Sequence, residues 1–141
     1  MSANNNLPLR IYPLSIEEFI DDCDAKCYFR YGLQEQCGRF YYRSKPIVAD
    51  TGTIVLFQYN QHIVAQAELM KVHKLEVAII DGGIEYHGYF LFDLETVSYY
   101  KEALNAEEFY EIYPDKVLGR VAHILDNQEK NSILLQKLSQ L

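Results

Sequence analysis

The sequence predicts an α+β fold, a run of mostly antiparallel strands flanked by helices, and three observations carry that prediction. The first is the stretch from Asp50 to Met70, where a turn at Gly52 leads into Ile54-Val55-Leu56-Phe57-Gln58. A short polar gap, Tyr59-Asn60-Gln61, then precedes a second β-branched and apolar run from His62 to Leu69. The second is another turn signal, Asp81-Gly82-Gly83, between strand-like residues 72–80 and 86–93. The third is a set of helix-start signatures on either side of these strands: Ser15 with Glu18, Asn105 with Glu108, and Asp126 with Glu129.

The elements follow in order. Leu9-Arg10-Ile11-Tyr12 reads as a short extended segment behind a polar tail from Asn4. Ser15 and Glu18 have the spacing at which each side chain satisfies an orphan backbone N–H, with Leu14 and Phe19 placed to staple the start. A helix is therefore predicted over 16–26, with Ile16, Phe19, Ile20 and Cys23 on its apolar face and Glu17, Asp21, Asp22 and Asp24 toward water. From 28 to 45 no period emerges. Gly32 and Gly38 interrupt a segment dense in Tyr, Phe and Arg, read as an ordered loop or a short helix that ends in a strand at Phe40-Tyr41-Tyr42-Arg43. After the two hairpins, residues 97–100 form a further short strand. Asn105 caps a helix that runs to Tyr113 and is ended by Pro114. Residues 117–125 fit either a helix or a final strand, and a terminal helix presents Ile133, Leu134, Leu135, Leu138 and Leu141 on one face.

The length of 141 residues fits one domain, residues 1–141, able to bury a core without disulfides or metal. No repeat or low-complexity tract divides it. No run of 18 apolar residues and no basic, apolar leader occurs at Met1-Ser2-Ala3-Asn4, so neither a membrane nor export is expected. The odd cysteine count, Cys23, Cys27 and Cys37, points to reduced thiols and a cytoplasmic protein. The net charge of −7 is unevenly spread. In residues 1–25 Arg10 stands against five acids, a balance of −4, and residues 46–141 carry −7. Residues 26–45 hold Lys26, Arg30, Arg39, Arg43 and Lys45 against Glu35 alone, a basic island of +4.

The Gly52 turn, the Ile54-Val55-Leu56-Phe57 run, the polar gap and Ile63-Val64-Ala65-Gln66-Ala67-Glu68-Leu69 resemble the opening of PUA-like domains, the superfamily that includes ASCH and EVE domains. The resemblance covers about 20 residues closely. It implies a small, mostly antiparallel β-barrel with flanking helices and RNA or DNA as ligand, in single-stranded form or as a flipped base. Arg39-Phe40-Tyr41-Tyr42-Arg43-Ser44-Lys45 stands where an ASCH-type Gly-x-Lys-x-x-Glu element would lie, and the chain has no Trp, so no catalytic or base-cage role carries over.

Read from the residues, the basic island is the leading candidate site. Phosphates need Arg or Lys, and an unstacked base needs a flat apolar face. Period two along 39–43 puts Arg39, Tyr41 and Arg43 on one face and Phe40 and Tyr42 on the other. The predicted ligand-binding set is Arg30, Arg39, Tyr41, Arg43 and Lys45, with Tyr59 at the mouth of the hairpin. The opposing reading is that these rings fill the core and the arginines pair with the acidic face of the first helix. Cys23, Cys27, Cys37 and four histidines lack the paired spacing of a zinc site, and no cofactor signature occurs. Glu68 and Lys71 stand three apart, on opposite strand faces, which fits poorly with the metal-nuclease pattern that Asp50 would complete. Glu85 and His87 share a strand face as an acid–base pair. The expected function is thus nucleic-acid binding, with a small nuclease or hydrolase and a tyrosine-rich homodimer module as the alternatives.

Overall fold

In the computed structural model, which describes residues 7–43 and 46–141, the strands are β1 (Leu9–Pro13), β2 (Arg39–Tyr42), β3 (Ile54–Tyr59), β4 (His62–Asp81), β5 (Ile84–Leu104) and β6 (His123–Leu125). They form one sheet in the order β2-β5-β4-β3-β1-β6. β1 runs parallel to β3, and every other neighbouring pair is antiparallel. The fold is α+β, with β2 and β6 as the open edges of a barrel-like sheet.

The apolar run in β3 is continuous because the strand is buried on both faces. Val55, Phe57 and Tyr59 enter one core cluster with Tyr12, Phe29, Phe40, Phe90 and Phe92. Leu56 enters the other with Ile11, Ile63, Leu104, Phe109 and Leu134. The β3–β4 hairpin closes through Asn60 (φ 50°) and Gln61 (φ 64°), left-handed at both central positions as the twist of a two-residue turn requires. The strands expected over 72–80, 86–93 and 97–100 merge into two long, bulged strands of 20 and 21 residues. Four register shifts let that hairpin bend without ending. Past the last β2 partner, Tyr42 opposite Gly88, it continues as a two-stranded arm turning at Gly82 and Gly83. A Cβ at Gly88 would collide with the Tyr42 hydroxyl, so glycine lets that ring lie flat across the strand.

The first helix starts later than the sequence predicts. Ser15 forms a single turn, its Oγ accepting from the Glu17 N–H at 3.1 Å. Phe19 then dives into the core, and its carbonyl accepts from the Tyr59 hydroxyl at 2.8 Å instead of from a helical N–H. Ile16 and Ile20 are left exposed. The helix α1 (Asp22–Cys27) is capped by Asp21, whose Oδ1 accepts from the Asp24 N–H at 2.8 Å, while Asp24 Oδ2 accepts from the Ile20 N–H at 3.0 Å. A π-helical segment (Tyr28–Gly32) joins it to α2 (Leu33–Glu35). That wider turn keeps the buried residues Ala25, Phe29 and Leu33 in line at a spacing of four, where a regular α-helix would drift.

The helix α3 (Ala106–Ile112) is capped by Asn105 as the spacing predicts. Residues 123–125 are strand rather than helix, because β6 completes the edge beside β1. The last helix, α4 (Gln128–Leu138), takes Asn127 as its cap rather than Asp126. Its inner face is Asn131, Leu134 and Leu138, and Ile133 is exposed. Asn131 is buried with both ends used: Nδ2 donates to the Leu125 carbonyl at 2.8 Å and Oδ1 accepts from the Tyr113 hydroxyl at 2.5 Å. Among the described residues no helix is long and apolar enough to cross a membrane.

Removing the Asn131 amide takes a donor from the Leu125 carbonyl and leaves the Tyr113 hydroxyl only the longer bond to the Asn127 carbonyl, at 3.2 Å, and a buried polar group left unsatisfied costs roughly 1–3 kcal/mol. The expected outcome for Asn131→Ala is a loss of at least about 2 kcal/mol in urea unfolding. The exposed Asn127→Ala, which loses only a cap, should lose about 1 kcal/mol. Equal losses would mean that the buried amide is no better tied than the surface cap.

Candidate nucleic-acid interface

The alternation expected in the strand after Gly38 is present in β2: Phe40 and Tyr42 are buried, Arg39 is exposed and Tyr41 is half-buried. Gly38 (φ 84°) starts that strand with its Cα pressed against the Phe92 carbonyl, where a Cβ would come within 2.6 Å. Tyr41 is thereby set opposite Tyr89 on β5, which is opposite His73 on β4. The three rings form a row across three strands, with centroids 5.5 Å apart for Tyr41–Tyr89 and 4.9 Å for His73–Tyr89. The Arg39 guanidinium sits 4.9 Å over the Tyr89 ring and covers it. Lys71 and Arg39 flank the row through their common partner position, Leu91. Neither cation has an ion-pair partner among the described residues.

The other predicted site residues are dispersed. Arg43 is engaged by the acidic N-terminal segment, donating to Glu17 Oε2 at 2.8 Å and to Ser15 Oγ at 3.1 Å. Arg30 is exposed on the π-helical segment, stacked over Tyr31 at 4.9 Å and facing Tyr99 at 6.0 Å, along a different stretch of β5 from Arg39. Tyr59 is not a surface residue. It is 4% exposed, and its hydroxyl is spent on the Phe19 carbonyl, because the turn after it places the ring under the Phe19 segment. Lys45 lies outside the described residues. The basic island of the sequence is therefore split: Arg39 and Tyr41 share a face, Arg43 is neutralised, and Arg30 is elsewhere.

Two clefts meet at Glu17 and Glu18. One, of about 510 Å³, lies under the β4–β5 arm and is walled by Glu18, Tyr28, Tyr41, Ile79 and Tyr86. Tyr86 donates to Glu18 Oε2 at 3.1 Å and so ties the arm down. Burial pushes the Glu18 carboxyl above its ordinary range, with Tyr86 and Arg43 pulling the other way. Burial, and then the nearby Glu18, push the Tyr86 hydroxyl up to about 12. The other cleft, of about 590 Å³, opens between the end of β1, the β3–β4 turn and the loop before β6; Arg43, Gln58 and Arg120 line it.

Gln58 was absent from the sequence-predicted set, although an amide between Phe57 and Tyr59 in a wholly apolar run was its visible signal. It is 3% exposed, and its Oε1 has no hydrogen-bond partner among the described residues. Such an orphan acceptor costs roughly 1–3 kcal/mol. The register shift between Phe57 and Gln58 is the local device that places it.

The remaining candidates do not assemble. Glu85 and His87 stand 3.9 Å apart, about half exposed, on the arm outside the walls of both clefts. Cys23, Cys27 and Cys37 are free and exposed. Among the described residues no three His, Cys, Asp or Glu side chains gather as a metal-holding group.

The raised Glu18 value has a testable sign. Its folded-state carboxyl holds a proton to higher pH than in the unfolded chain. The linked stability is complete below the ordinary value near 4.5 and declines as pH rises through the folded-state value. Glu18→Gln, whose amide oxygen still accepts from Tyr86, should match the parent in denaturant midpoint at pH 4 and exceed it at pH 7. A midpoint difference independent of pH would show an ordinary carboxyl.

No family model matches the chain, and no curated protein matches it. Solved structures do. The ASCH protein from Zymomonas mobilis superimposes with a TM-score of 0.59 at 11% identity, over 90% of this chain and 93% of that one. Two structures of its single-residue mutants give 0.58 at 12% identity and 0.60 at 11% identity, covering 89% and 93% of this chain and 96% and 97% of theirs. The likeness extends well beyond the residues 50–70 that carry the resemblance in sequence, and the chain has an ASCH-type, PUA-like fold.

Proposed function

We propose that the chain binds single-stranded RNA or DNA across the outer face of β2, β5 and β4. The observation that carries this is the Tyr41–Tyr89–His73 row with Arg39 laid over its central ring. Bases stack on Tyr41, on His73 and on the guanidinium plane of Arg39, each stack contributing roughly 1–3 kcal/mol. Arg39 and Lys71 meet the phosphates. The PUA-like class is one of RNA-binding domains, which agrees with the ligand that the sequence resemblance implies. The net charge of −7 keeps non-specific attraction low and makes the free cations of this face the local positive field.

Fluorescence anisotropy with labelled oligo-U and oligo-dT tests this. Arg39→Ala and Tyr41→Ala are each expected to weaken binding about tenfold, the equivalent of about 1.4 kcal/mol. Arg39 is exposed, so thermal stability should move little in Arg39→Ala, whereas Tyr41→Ala also loses ring contacts with Tyr86 and Tyr89 and should melt somewhat lower. Loss of one phosphate contact should also reduce the slope of log K against log salt by about 0.7 in Arg39→Ala. Affinity unchanged in both variants would overturn the reading.

A further inference from the structure

The cleft under the β4–β5 arm adjoins the sheet face at Tyr41 but has the opposite charge. Among the described residues, every ionised side chain that lines it is a carboxylate, Glu17, Glu18 or Asp81, and no Lys, Arg or His does. Glu17 is already paired with Arg43, which lines the other cleft. Glu18 and Asp81 have no ion-pair partner among the described residues. Glu18 accepts from the Tyr86 hydroxyl and feels the charge of Arg43, yet burial still holds its carboxyl above the ordinary range. Its negative charge is under-compensated in the free protein.

Much of the remaining wall is aromatic. Tyr28, Tyr41 and Tyr86 line the cleft, and the last two are half-buried, with ring centroids 6.3 Å apart and ring planes at 70°. The Tyr28 hydroxyl is committed to Gln36 Oε1 at 2.7 Å and that of Tyr86 to Glu18, so what these rings offer a ligand is their π surface. Such a surface attracts a cation, and more strongly where water is excluded. A strongly hydrated inorganic ion gains little from it. An organic ammonium ion gains twice, because its methyl or methylene groups pack on the rings while its charge meets a carboxylate. The volume of about 510 Å³ fits a small ligand of this kind, and the carboxylates would repel a phosphate.

We propose that this cleft binds one organic ammonium group, free or carried on a lysine side chain, against the rings of Tyr41 and Tyr86, with Glu18 and Asp81 as its counter-charges. The site is separate from the nucleic-acid reading above, and neither depends on the other.

Amide NMR titration of the full chain tests the assignment with choline, with the uncharged alcohol in which carbon replaces the nitrogen of choline, with butylammonium and with potassium. Choline and butylammonium should saturate at millimolar concentration and shift the amides of Gly82 and Tyr86. The uncharged alcohol should bind about tenfold more weakly than choline, since it loses both attractions. Glu18→Gln, which keeps an acceptor for Tyr86, should weaken choline about tenfold. Glu85→Gln, which removes the same charge from the arm outside the cleft walls, should leave choline affinity unchanged. No saturation by either ammonium ion would overturn the proposal, as would equal affinity for the alcohol, equal shifts with potassium, or equal weakening by Glu18→Gln and Glu85→Gln. A lysine-bearing peptide that binds more tightly than butylammonium would identify a protein side chain as the source, and equal affinity would identify a free amine. None of these readouts involves an oligonucleotide, so failure here leaves the sheet-face reading standing, and failure of Arg39→Ala and Tyr41→Ala to weaken oligonucleotides leaves the cleft standing.

Discussion

The two-sided burial of β3 is the constraint on which the rest of the structure depends. Leu56 and Phe57 are both fully buried although they point to opposite faces, so apolar layers must cover the sheet on both sides. The α1–α2 segment covers one side, and α3 with α4 covers the other. The parallel neighbour β1 lies on the same axis, and a parallel pair cannot be joined by a tight hairpin. The chain between β1 and β3 must therefore cross over. That crossover carries the helical layer and β2, and with them Arg30, Arg39, Tyr41 and Arg43.

The aromatic content serves this arrangement first. Phe40 meets Tyr12 at 5.5 Å, Tyr28 at 5.7 Å and Phe57 at 5.7 Å, joining strands and helical layer through ring contacts. Such pairs contribute roughly 0.5–1.5 kcal/mol each beyond the area they bury. The tyrosines among them need somewhere for their hydroxyls. Tyr28 donates to Gln36 Oε1, Tyr59 to the Phe19 carbonyl and Tyr100 to Gln66 Oε1. Once these obligations are met, the rings left facing outward on the sheet are few, and those beside Arg39 form the row on which function is proposed.

Electrostatics divide the surface in the same way. Glu17 and Glu18 form the wall between the two clefts, one paired with Arg43 and the other half-buried and tied to Tyr86. An ion pair as exposed as Arg43–Glu17 contributes little to stability, generally under about 1 kcal/mol, but it cancels a cation that would otherwise extend the positive face. A basic segment in sequence is thus a smaller basic surface in space, and an amide within an apolar strand is buried with its oxygen unpaired among the described residues.

Patterns that depend on near neighbours were legible in the sequence. The β3–β4 hairpin and its Asn60-Gln61 turn, the Asn105 cap and the outward alternation of Arg39 and Tyr41 all follow from turn chemistry, local capping and strand period, which act within a few residues. The capping pattern at Ser15 does not start the helix because the competing claim on Phe19 comes from Tyr59, 40 residues away. Residues 117–125 were ambiguous because only the open edge of β1 makes 123–125 a strand. Tyr59, expected among the ligand-binding residues at the hairpin mouth, is buried because what covers it is distant in the chain. Hairpins, the Asn105 cap and the α+β class were thus determined by the sequence itself, through short-range backbone chemistry and the period of its apolar residues. Which cations stay free, which rings stay outside and which amide stays unpaired were decided only by the tertiary structure, because each depends on partners that long-range packing delivers.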